Sequence, residues 1–347
     1  MSAFNNAVGV FQSLFTDQVT AKILFRYSNT LPDGSAIPAG SIARSNFVIY
    51  GPGWASYIAT LTADAKSSND ATAIANFPAT PQSSSIRTGA PAGRAQGRGE
   101  PGVMCADSSV PSPAVPGCDY DGIVTVVSGF PFSFTRPLAA GTFDAQRLIE
   151  HEIDEVLGTS SGLNLANPIV QWRPIDLFSY SAAGTRNVTS SGSRYLSIDG
   201  GTTNIVGLNQ NPSGDFGDWL SPTCTPAYVQ NAFNCKDQIV DITLTSPEGI
   251  LLDVIGFDPA ITTAANVPIS GRVLSSNGVG VRSARVVITD SRGHVLTALT
   301  NASGYYTFTS VPSGDTYIAN ATSRGMTFAP RVVSVNDALA NVDLVAR

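Results

Sequence analysis

Along the first 142 residues the apolar positions change period several times. Val8, Phe11, Leu14 and Phe15 recur at helical spacing and predict a helix over 5–15, and the run VTAKILFRY predicts a strand over 19–27. Trp54, Ile58 and Leu61 share one stripe of a second predicted helix over 53–65. The segment 78–116 is rich in Pro, Gly and Ser and reads as a long surface loop. IVTVV at 123–127 is β-branched throughout and predicts a buried strand. FDAQRLIEHEIDEVLG at 143–158 is the clearest helix, with Ile149, Ile153, Val156 and Leu157 as its apolar stripe. Thr142 or Asp144 can cap its start, and Gly158 stands where a C′ glycine is wanted. Beyond it regular elements are sparse. Short strands are expected near Asp176–Tyr180 and Tyr195–Ile198, and a helix from Pro247 to Ile255.

From residue 266 onward the pattern is different. Seven short runs alternate apolar and polar residues: 269–273, 284–289, 295–299, 305–308, 317–321, 331–335 and 342–345. Turn signals such as Asn277-Gly278, the stretch 290–293 and Ser313-Gly314 separate them. Short strands at this spacing predict a small β-sandwich. The chain of 347 residues thus divides into domains at 1–262 and 266–347. Gly271-x-Val273, Gly280-Val281-x-x-Ala284-x-Val286, Thr300-Asn-x-x-Gly304-x-Tyr306-x-Phe308 and Val311-Pro312-x-Gly314 resemble the carboxypeptidase regulatory-like domain. The resemblance implies an all-β, transthyretin-like sandwich attached to secreted enzymes and surface proteins, with no chemistry of its own.

Composition narrows the function. Only 13% of residues are charged, the net charge is −6, and no basic run is present, so nucleic acid is not an expected partner. No stretch approaches the length of a membrane span, and the opening residues carry no signal-peptide pattern. Cys105 with Cys118, and Cys224 with Cys235, lack the two-residue spacing of zinc ribbons and redox motifs. Two local disulfides are expected instead, which suits a secreted or cell-surface protein.

Against that charge-poor background, Glu150, His151, Glu152, Asp154 and Glu155 fall within six residues of one helix. They could be merely a solvated helix face. His151 and Glu155, however, are four apart and share a face, so both can reach one ion, with Glu152 one position round where it could touch a water on that ion. His294, the other histidine, falls in a turn of the sandwich and reads as a solvated loop residue.

Leu148 to Gly158 resembles the active helix of secreted bacterial zinc metallopeptidases related to the metzincins, whose motif is H-E-x-x-H-x-x-G-x-x-H. Gly158 falls on the glycine, Glu155 replaces the second histidine and Ser161 stands in place of the third. Segments 173–186, 197–201, 214–219 and 246–258 resemble exported peptidases with an H-E-x-x-E helix. The resemblance implies an α+β fold, a metzincin-like mixed sheet carrying an active-site helix. It also implies a zinc-dependent endopeptidase acting on protein or peptide substrates, with Glu152 as the general base for a metal-activated water. With no histidine left, the third ligand is an oxygen from Asp176, Asp215 or Asp218, of which Asp176 is favoured. The expected metal set is therefore His151, Glu155 and Asp176, binding zinc, with calcium or manganese as alternatives. The competing expectation is a catalytically inactive surface protein whose sandwich serves adhesion or assembly.

Overall fold

The Gly122–Val127 strand is buried along its whole length at the centre of a three-stranded sheet. Ile23–Ser28 runs parallel to it on one side and Ala43–Phe47 antiparallel on the other. Its β-branched run is what a strand covered on both faces demands. The computed structural model describes residues 2–260, 266–290, 294–313, 315–335 and 338–347. The chain forms two units, Met1–Ala260 and Ile261–Arg347. The domain boundary expected between 262 and 266 falls on 261–265, outside the described residues.

In the first unit, helix α1 (Ser2–Leu14) buries Ala3, Ala7 and Phe11, and α2 (Trp54–Asp64) buries Trp54, Tyr57 and Leu61. Helix α3 (Ser68–Ala75) was not legible from apolar spacing. It starts at a capping box in which Ser67 Oγ accepts from Asp70 N and the Asp70 side chain answers at the Ser67 N–H. The surface loop expected over 78–116 is corrected in part: α4 (Ala90–Ala95) lies inside it with Ala90, Pro91, Ala92 and Gly93 buried. Small residues allow that close packing without producing a periodic apolar signal. A Cβ on Gly93 would lie 2.6 Å from the carboxyl carbon of Glu100. The strand expected near Asp176 is also corrected. Pro174–Phe178 forms a 3-10 turn, and the strand is Ser179–Ala182.

Helix α5 (Ala145–Leu157) packs against α1 and on the Ala43–Phe47 and Gly122–Val127 strands. Gly122 makes that approach possible, since a Cβ there would lie 2.5 Å from Asn46 O and 2.8 Å from Val156 Cγ2. Helix α6 (Pro247–Val254) begins at Ser246 with Pro247 in its first turn, as helix starts favour.

The second unit has all seven expected strands, in sheets of three (305–311, 267–274, 344–345) and four (295–299, 285–289, 315–322, 331–335). Tyr306 and Phe308 point into its core while Tyr305 and Thr307 face out, the period-two alternation of a half-buried strand. The turn positions 291–293 and Gly314 lie outside the described residues. Among the described residues no helix is long and apolar enough to cross a membrane.

Candidate metal centre

Asp144 caps α5 through Gln146 N at 3.0 Å, and Gly158 closes it at φ +138°, its N–H shared between the carbonyls of Asp154 and Glu155. Every residue of the helix is buried. The acids between these ends are therefore not a solvated face. Glu150 is held by Gln146 Nε2 at 3.0 Å and by Ile242 N at 3.1 Å, and burial pushes its carboxyl up to about 9.

One turn of α5 carries the centre. His151, Glu155 and Asp218 each offer a ligand atom, and these atoms all lie within 4.8 Å of one another. His151 Nδ1 lies 3.1 Å from Val229 O, which fixes the proton on Nδ1 and turns the Nε2 lone pair inward. Burial lowers the imidazole to about 4, so it is neutral and able to ligate. Its Nε2 is 3.7 Å from Asp218 Oδ2. Burial, and then the charge of Asp215, raise Glu155 to about 7, opposed by a hydrogen bond from Ser45 Oγ and by Arg44 and Arg173. Burial, and then Glu155, push Asp218 up as well. Crowded, desolvated carboxylates beside a neutral imidazole are a donor set that a divalent cation relieves. The residues present fit such an ion.

Glu152 sits beside this group. It lines a cavity of about 290 Å³ with Glu155, Asp215, Arg44, Ser45, Arg173 and their neighbours. Burial raises its carboxyl strongly, and Glu155, Asp218 and Asp215 add to that, with Arg44 opposing. No hydrogen bond holds it among the described residues.

The structure brings together His151, Glu155 and Asp218, with Glu152 alongside; Asp176 is not in the group. Its Oδ1 accepts from Ser161 Oγ at 2.7 Å, and its Oδ2 from Gly162 N at 2.9 Å and Arg173 N at 2.8 Å. Three donors leave Asp176 a structural cap on the turns after α5, and Ser161 is occupied with it. Asp218 was the alternative oxygen. It arrives because Gly217 packs against the chain just past α5, where a Cβ would lie 2.9 Å from both Ser161 N and Thr159 O. Sequence reading missed Ser45, Gln230 and Glu248. Only the glycine-flanked Gly214-Asp-Phe-Gly-Asp218 stretch carried a signal of the approach. His294 is exposed, with Nδ1 2.9 Å from Asp290 Oδ2.

Both expected disulfides are formed, Cys105–Cys118 and Cys224–Cys235. They fit a protein that works in an oxidising compartment.

The family model of the carboxypeptidase regulatory-like domain matches residues 268–345. The C-terminal unit carries a carboxypeptidase regulatory-like domain. That domain contains the seven-stranded arrangement described above and none of the candidate metal ligands. No curated protein matches the chain. Among solved structures, the TIE protein of Bacillus anthracis is similar at 16% identity and a TM-score of 0.20, over 23% of this chain and 16% of that one. A C-terminal fragment of the pilus adhesin SpaC from Lactobacillus rhamnosus GG is similar at 11% identity and a TM-score of 0.17, over 26% of this chain and 45% of that one. The chain thus spans less than half the length of either, and likenesses this low say nothing about function.

Proposed function

We propose that the N-terminal unit is a metal-dependent endopeptidase in which His151, Glu155 and Asp218 hold zinc and Glu152 is the general base. The observation that carries this reading is the convergence of three ligand atoms within 4.8 Å, next to an unpaired carboxylate lining a cavity. The resemblance of the His151–Glu155 helix to exported metzincin-related peptidases supports it, and the two disulfides support a secreted or cell-surface location.

Zinc bound there would supply a Lewis acid that polarises the peptide carbonyl and makes water acidic near neutral pH. The protein's own part is proton handling and positioning. Glu152 takes the proton of the attacking water and delivers it to the leaving amine. Ser45 and Arg44 steady Glu155 from the sheet side. The nearby Arg173 reaches Ser160 and stacks over Phe47, keeping one wall of the cavity ordered.

Metal analysis of the purified full chain, with casein hydrolysis before and after chelation, tests the proposal. Stoichiometric zinc and chelator-sensitive hydrolysis are expected. His151→Ala should lose the metal, whereas Glu152→Gln should keep it and lose hydrolysis. Bound manganese or calcium would revise the ion. Neither transition metal nor hydrolysis would overturn the enzyme reading and leave a non-catalytic surface protein.

A further inference from the structure

Gln230 is fully buried in the middle of the candidate centre, and the mechanism above makes no use of it. Its Nε2 lies 3.1 Å from His151 Nε2 and 3.0 Å from Asp218 Oδ1. Because Val229 O takes the Nδ1 proton of His151, Nε2 of the imidazole is an acceptor, and Gln230 has to face it with nitrogen. The amide nitrogen has two protons, and both are used, one on the imidazole and one on the carboxylate. Oε1 is left buried with no donor. Such an orphaned oxygen calls for an explanation.

The imidazole Nε2 has one lone pair. It accepts the Gln230 N–H or it binds a cation; it cannot do both. Uptake of an ion at His151 therefore requires the amide to leave. Its backbone cannot go far, since Gln230 N donates to Glu248 Oε1 at 2.9 Å and Gln230 O accepts from Trp219 N at 2.8 Å. The terminal torsion is soft, and a half-turn exchanges two atoms of similar size without demanding new space.

We propose that Gln230 is a two-position ligand of this centre. In one position its nitrogen bridges His151 and Asp218, and in the other its Oε1 faces the cation as a fourth, neutral protein ligand, with the attacking water entering as a fifth. The inference rests on the metal reading of the same site. Zinc bonds of about 2.0–2.2 Å place neighbouring tetrahedral ligands about 3.3–3.6 Å apart, so the turned amide has to withdraw only a few tenths of an ångström. Asp218 is held for both positions by the packing of Gly217, and the amide keeps the two ligands in register before an ion arrives.

The test compares the full chain with Gln230→Met, which keeps length and loses both polar atoms, and Gln230→Glu, which keeps the oxygen and loses the N–H donors. Each protein is stripped with chelator, melted, and titrated calorimetrically with zinc and with manganese. Gln230→Met should melt lower than wild type when stripped and bind zinc about 10–100-fold more weakly. Gln230→Glu should also melt lower when stripped, yet bind zinc at least as tightly as wild type and recover its melting temperature on loading. A residue that merely fills space would not give that crossover. A Gln230→Met affinity within twofold of wild type overturns the proposal and leaves the metal centre standing. If Gln230→Met does not fold, weaker zinc binding by Gln230→Glu overturns it. Wild-type protein that binds neither ion overturns the metal reading itself.

Discussion

The Trp219 indole donates to Glu248 Oε1 over 2.8 Å, fully buried, and so ties the residue that follows Asp218 to helix α6. The same oxygen accepts from Gln230 N at 2.9 Å. One carboxylate thus fixes both sides of the candidate metal centre that α5 does not supply. Glu248→Ala strands two buried donors and should cost about 2–4 kcal/mol in urea unfolding. Glu248→Gln keeps an acceptor and should cost less than half as much. A loss below about 1 kcal/mol for the alanine variant would show that the link does not hold the fold.

Gly217 sets how closely Asp218 approaches. A Cβ at 2.9 Å from two backbone atoms forces the strand of chain before Asp218 away from α5. Gly217→Ala should therefore lower the melting temperature and weaken zinc binding together, by about tenfold or more for the metal. Calorimetric titration that finds wild-type affinity in this variant would separate Asp218 from the site.

The two disulfides should behave differently towards metal. Each closes a short loop, with sequence separations of 13 and 11, and removing either should cost roughly 3 kcal/mol. Only the Cys224–Cys235 loop contains Val229 and Gln230, the partners of His151. Serine replacement of both of its cysteines should weaken zinc binding, while the same change at Cys105 and Cys118 should leave it intact. Equal effects from the two replacements would count against the loop's role.

Stability should also depend on pH away from the candidate metal centre. Burial, the largest cause in each case, raises Asp17, Asp64 and Asp253 to about 6 from an ordinary 3.8. The folded protein then holds more protons than the unfolded chain between those values. The sign follows: these groups cost nothing below about pH 4, their penalty grows as pH rises through the window, and it is complete above about pH 6. With chelator present throughout, the first unit should gain stability from pH 7 to pH 5. Asp64→Asn should reduce that gain, as read by urea titrations at the two pH values. An identical pH slope in the variant would refute the assignment for Asp64.

Much of the second unit was written in its alternation. Strands such as 267–274, 285–289 and 305–308 have one wet and one dry face, so a period of two marks them locally, and turn residues punctuate the series. Helix α5 was equally plain, because its stripe, its Asp144 cap and its closing glycine lie within one short segment. The Ala43–Phe47 strand was not visible, since polar Arg44, Ser45 and Asn46 leave no apolar pattern there and pairing with the Gly122–Val127 strand decides its state. Helix α4 hid among small residues for the same reason.

By itself the sequence determined that His151 and Glu155 share a helical face with Glu152 beside them, because 3.6 residues per turn is a local rule. Only the tertiary structure decided which oxygen joins them. Asp176 is taken up by Arg173 N in its own turn and by Ser161 and Gly162 just past α5, while Asp218 is carried to the imidazole by a glycine packed against backbone and by an acid more than twenty residues downstream. Contacts of that kind join positions far apart in the chain, and their energies depend on what each group can reach in space, which no local spacing records.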